Sequence, residues 1–309
     1  QGYIGITHTD WYKYLAAHPC VDEVNFWQPH GNRAFRALKK GEPFFFKLHA
    51  PLKQIVGFGF FERFETLPAW LAWECFGEMN GAPDFESMVE RIASLRNDAS
   101  SLSGDFSIGC IMIAAPVFFN QDEWVSPPSD WARSGIQQGK TYRLDVGEGQ
   151  RVFRECLERA STEDRYWNVD RVAEEVPRYG KPIVVNPRIG QGLFSIAVRE
   201  AYHGACAVTR EHSAPVLEAA HIVPYSRGGE HRIDNGLLLR SDLHRLYDRG
   251  YVAVTPDYEF LVSESLREDY DNGRSYYGFD NTRIALPSES EFRPCRERLE
   301  WHLHEVYRG

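Results

Sequence analysis

The sequence predicts an α+β protein of two domains joined by a helical connector. Three observations lead there. The chain has 309 residues, more than one typical domain needs. Residues 1–149 interleave aromatic, β-branched runs with short helical patterns. Residues 216–250 then show a separate strand, loop and helix, after a polar, charged stretch at 150–182.

In the first domain, DWYKYLAAH (10–18) predicts a short helix. HGNRAFRALKKG (30–41) predicts a second, closed by Gly41, with Lys39 and Lys40 in its last turn. The runs 42–50 and 54–64 predict neighbouring strands joined by the turn at 51–53. Helices follow at 67–77 and 84–96, the latter with Asp84 as N-cap. A buried strand spans 106–119, and a last strand spans 140–146. This alternation suggests a partly open β-barrel with helices. The second domain, 183–309, opens with a helix at 189–204 and strands at 205–209 and 216–224. A loop at 228–239, a helix at 240–250 and a hairpin at 251–263 follow.

Composition narrows the function classes. Hydrophobic residues make up 43% of the chain, which excludes global disorder. No apolar run reaches the roughly 18 residues of a membrane span, and Pro116 breaks the longest, so no membrane partner is expected. The six cysteines are scattered, with no C-x-x-C pair, so reduced thiols in a cytoplasmic protein are expected rather than structural zinc. No secretion leader is visible, and the chain begins at Gln1 rather than Met. The net charge of -9 argues against a protein that coats nucleic acid. It does not exclude an enzyme with a local basic surface, and residues 181–250 are slightly basic.

The chemistry concentrates between 216 and 250. His221 ends a strand, Asn235 follows in a loop, and His244 lies on the next helix. A neutral imidazole accepts a proton from water near pH 7, so His221 suits a general base. His244 and Asp248 stand four apart and share a helix face, where one nitrogen and one carboxylate suit a divalent metal with open positions. Asn235 has the amide to hold the His221 loop. Glu218 lies three before His221, so strand alternation predicts that it points to the opposite face. Arg227, Arg232, Arg240 and Arg245 are candidate phosphate contacts. His302 and His304 read as a helix face, not as ligands.

AAHIVP (219–224), NGLLL (235–239) and HRLYD (244–248), in that order, resemble the HNH endonuclease family with its ββα-metal fold. The match is nearest to the variant of McrA-like, modification-dependent restriction enzymes. The resemblance implies His221 as general base, Asn235 as positioning residue and His244 as metal ligand. It implies Mg²⁺ or Mn²⁺ as cofactor, with Zn²⁺ or Ni²⁺ as substitutes in crystals, and products with 5′ phosphate and 3′ hydroxyl ends. One departure stands out: many HNH enzymes place a further ligand just before the catalytic histidine, where this chain has Ala220.

The first domain resembles the PUA superfamily, most nearly its EVE-like members, on residues 26–48 and IVGFGFF (55–61). That resemblance implies a flipped modified base, with Trp27, Phe46, Trp73 and Trp124 as stackers, Asn32 reading an edge, and Gln28 or His30 assisting. The fusion implies a modification-dependent endonuclease acting on double-stranded DNA with a modified cytosine, as a homodimer or by sequential nicking. Two rivals stand beside it: a nuclease that reads unmodified DNA, and a modified-base reader whose nuclease site Ala220 has disabled.

Overall fold

The computed structural model describes residues 1–18, 21–96, 104–132, 138–160, 190–271 and 274–309. The chain divides into two compact units, Gln1–Gly190 and Gln191–Gly309.

The first unit holds β1 (Gly2–Thr7), α1 (Thr9–Ala16), β2 (Glu23–Gln28), β3 (Pro43–Leu48) and β4 (Ile55–Pro68). It continues with α2 (Ala69–Phe76), α3 (Phe85–Arg96), β5 (Ser107–Phe118), β6 (Gly139–Tyr142) and α4 (Gly147–Ala160). The strands form one sheet in the order β2-β5-β4-β3-β1-β6. Only β1 and β3 pair in parallel.

The residues of β3 show why the sheet stays open. Phe44 and Phe46 pack with Trp11, Tyr12 and Leu15 of α1. Phe45, between them, packs with Val152 and Cys156 of α4. Both faces are covered, so the strand reads as a continuous apolar run rather than an alternating barrel wall. No barrel closes among the described residues.

The expected helix at 30–41 is absent; residues 31–40 are irregular. Phe35 packs on Tyr3 and Phe61, and Leu38 is buried. Those two anchors make too narrow an apolar stripe to bury a helix. Asp84 does cap α3, accepting the Ser87 N–H at 2.7 Å. The last strand stops at Tyr142, and α4 begins before residue 150. The remainder of the expected connector lies outside the described residues.

The second unit holds α5 (Gln191–Ala201), β7 (Leu217–His221), β8 (Gly236–Arg240), α6 (Ser241–Asp248), β9 (Val252–Val254) and β10 (Glu259–Val262). It ends with α7 (Ser265–Tyr270), α8 (Arg274–Tyr277), β11 (Thr282–Arg283) and α9 (Arg296–Glu305). β7 and β8 form an antiparallel ribbon with His221 opposite Gly236. β9 and β10 form the expected hairpin, extended by β11.

Two expectations change here. Residues 205–209 form turns, not a strand; Ala207 N–H still donates to the Leu238 carbonyl. The partner of β7 comes instead from the segment expected as a loop, because Leu237, Leu238 and Leu239 are all fully buried. Burial on both faces hides the alternation that marks a half-exposed strand. Gly236 is needed there: a Cβ would lie 2.4 Å from the Val198 side chain and 3.1 Å from the Phe194 ring.

Candidate active site

The β7–β8 ribbon and α6 bring His221, His244 and Asp248 to one cleft of about 250 Å³. His221 is the last residue of its strand, so its ring leaves the sheet at the cleft mouth. The ring lies flat on Phe194 of α5, with centroids 3.9 Å apart and planes 12° apart. Burial pushes its pKa down to about 4, with the neighbouring His231 and His244 adding to the fall. The imidazole is therefore neutral at pH 7, with a lone pair free to accept a proton.

Asn235 is fully buried behind the cleft. Its Oδ1 accepts the Val223 N–H at 2.9 Å, and its Nδ2 donates to the carbonyls of Val223 and Glu230 at 3.0 and 2.9 Å. Three bonds to backbone lock the chain leaving His221 to the loop before β8.

His244 sits between two carboxylates. Its Nδ1 meets Glu218 at 2.7 Å, and its Nε2 stands 3.5 Å from Asp248. Glu218, expected to point to the opposite face from His221, meets His244, which lines the same cleft as His221. α6 packs against β7 so that Glu218 meets His244. A ring held by a carboxylate at one nitrogen offers the other to a metal, the usual support of a metal-bound imidazole.

The donor set fits a divalent cation. Two donors each about 2.1 Å from one ion stand about 3.0–3.5 Å apart, which is the spacing of His244 Nε2 and Asp248. Desolvation, with the nearby Glu218, raises the Asp248 pKa against the pull of His244. No group of three His, Cys, Asp or Glu side chains converges among the described residues. Ala220 is fully buried and adds nothing to the set. An ion held by His244 and Asp248 would keep its remaining positions for water and phosphate oxygens.

Other expected residues scatter. Arg232 pairs with Asp234 and Arg240 with Asp242, while Arg227 and Arg245 are exposed. His304 is exposed on α9, but His302 is buried and lines the cleft. Its Nε2 donates to the Tyr247 carbonyl at 3.0 Å, and its ring stacks on Tyr247 at 3.7 Å. Gly250, at φ 76°, lets the chain turn beneath the C-terminal segment, where a Cβ would meet the Val306 carbonyl at 1.9 Å. His231, absent from the expectation, bonds His221 at 3.0 Å. Its only signal in the sequence is a histidine inside a polar loop, GGEHRIDN.

The five base-binding candidates of the first unit do not converge. Phe46 is fully buried in the core, and Trp124 is held by its N–H to the Tyr12 hydroxyl at 3.1 Å. Trp73 packs near Phe85, and Asn32 is exposed on the irregular segment. Trp27 lines a pocket of about 300 Å³ with Gln28, His30, Trp11, His8 and His49. Burial lowers the pKa of His8 and of His49, and each then feels a nearby cation or the other ring, so both imidazoles are neutral at pH 7.

A strand ending in a histidine, a loop locked by an asparagine and a helix carrying a second histidine thus meet around one cleft. Residues 206–255 match the model of the HNH endonuclease family. The second unit therefore carries an HNH endonuclease domain, and the protein is a DNA-cleaving hydrolase. HNH nucleases use divalent metal ions. Among solved structures the chain is similar to the "Modification dependent TagI restriction endonuclease", at 12% identity, over 97% of this chain and 81% of that one. The TM-score is 0.31, too loose to carry an argument. No curated protein matches the chain. No helix among the described residues is long and apolar enough to cross a membrane.

Proposed function

We propose that the protein is a modification-dependent DNA endonuclease that cuts with His221 as general base and reads a modified cytosine in its first unit. The carrying observation is the shared cleft of His221, His244 and Asp248. His221 takes the proton of the attacking water. Asn235 holds the loop so that the ring keeps its aim. His244 and Asp248 hold the divalent ion, Mg²⁺ or Mn²⁺, and Glu218 fixes the His244 ring. When bound, the ion neutralises phosphate charge and stabilises the leaving 3′ oxygen.

The reading of the first unit as a PUA/EVE-like domain rests on its motifs, and the recognition site moves from the scattered candidates to the pocket beside Trp27. Aromatic walls and neutral hydrogen-bonding groups suit a flipped base. Its volume of about 300 Å³ is at the lower end for ligand pockets. A double-strand break takes two cuts, by two copies of the chain or by sequential nicking.

The test is digestion of duplexes identical except for cytosine, 5-methylcytosine or 5-hydroxymethylcytosine, with Mg²⁺ or Mn²⁺. Faster cutting of a modified duplex is expected. Equal rates would leave an HNH nuclease without modification dependence.

A further inference from the structure

We propose that His231 is the positioning residue for His221: it fixes the base's tautomer and accepts a hydrogen bond from the imidazolium formed during cleavage. This rests on the proposed role of His221 as general base.

The two rings meet through His221 Nε2 and His231 Nδ1, 3.0 Å apart. Each ring is clamped flat against an aromatic neighbour. Phe194 lies on His221 at 3.9 Å and 12°. Tyr225 lies on His231 at 4.8 Å and 8°. The loop carrying His231 is held one residue earlier, where Asn235 Nδ2 donates to the Glu230 carbonyl at 2.9 Å. The contact between the histidines is therefore a product of two stacks and a buried amide.

The proton inventory follows from an imidazole having two nitrogens. Nε2 of His221 is engaged by His231, so Nδ1 is the nitrogen left for water. A base must present a bare lone pair there, which puts the hydrogen on Nε2. His231 Nδ1 then accepts that N–H, and the hydrogen of His231 sits on its own Nε2. In the reaction the water O–H breaks as its oxygen bonds phosphorus, and the proton goes to His221 Nδ1. The P–O bond to the 3′ oxygen breaks, its electron pair leaves with that oxygen, and the oxygen takes a proton from solvent water to become the 3′ hydroxyl. His221, now doubly protonated, donates from Nε2 to His231 in a charge-assisted bond. The proton on Nδ1 returns to solvent after product release.

The experiment compares His231→Ala and His231→Asn with wild type on the preferred duplex under Mn²⁺. Asparagine keeps an acceptor near the place of Nδ1. His231→Ala is expected to lower kcat on the order of 10²-fold with KM unchanged, and His231→Asn to recover most of the loss. On ¹⁵N-histidine wild-type protein, a scalar coupling across the hydrogen bond between His221 Nε2 and His231 Nδ1 is expected. Full kcat in His231→Ala, no rescue by asparagine, or a bare His221 Nε2 in the spectrum would overturn the proposal. The spectrum decides even where the alanine variant fails to fold. Undiminished cutting by His221→Ala would instead sink the role of His221 itself.

Discussion

The two units build their polar sites in opposite ways. In the second unit, Glu218, His221, Asn235, His244 and Asp248 fall within one ribbon, its connecting loop and the helix after it. In the first, the pocket gathers Tyr3, Trp11, Trp27, His49 and Gln138 from strands, a helix and loops far apart in the chain. A local site tolerates little change, because each side chain has specific assigned neighbours. A pocket assembled across a sheet spreads its binding over many walls.

That contrast predicts large single-residue effects in the second unit and small ones in the first. His244→Ala should lower cleavage by about 10³-fold or more and abolish Mn²⁺ binding, read by Mn²⁺ electron paramagnetic resonance. Asn235→Ala removes the side-chain partner of the part-buried backbone groups of Val223 and Glu230. A loss of about 2–4 kcal/mol of stability is expected in calorimetry. Glu218→Gln removes the carboxylate supporting His244, and Mn²⁺ affinity should fall about 10–100-fold with the fold intact.

A smaller effect tests the packing behind the cleft. Burial pushes the His302 pKa down to about 4, against the pull of its bond to Tyr247. The neutral ring is thus preferred in the folded state. Above about pH 6.5 folded and unfolded states are both neutral, and stability is fully present. As pH falls towards 4, the unfolded histidine binds a proton that the folded one does not, and stability is lost. Urea denaturation should show a drop of about 2 kcal/mol from this group between pH 7.5 and 5. His302→Gln should shrink that drop. An unchanged pH profile would show that the buried ring is not responsible. Smallest of all, His49→Ala in the first unit should shift the preference between duplexes only several-fold.

The same contrast explains what the sequence made legible. The hairpin at 251–263, the helix after residue 240 and the capped α3 were visible, since each follows from local pattern and punctuation. β8 was hidden because its leucines are buried on both faces. The helix expected at 30–41 failed because its charges and turn residues met no matching apolar stripe. Within the site, order and spacing pointed to His221, Asn235, His244 and Asp248. Strand alternation set Glu218 aside and missed its contact with His244, because the position of α6 is a tertiary fact. His231 and the pocket beside Trp27 depend on contacts that no local pattern encodes.

The central claim is that His221 is the base of a hydrolytic site shared with His244 and Asp248. Nicking of supercoiled plasmid bearing the preferred cytosine modification, by wild type and His221→Ala under saturating Mn²⁺, tests it most directly. The account predicts a loss of about 10³-fold or more in the variant, with DNA and Mn²⁺ binding retained. Cutting by His221→Ala at the wild-type rate would contradict it.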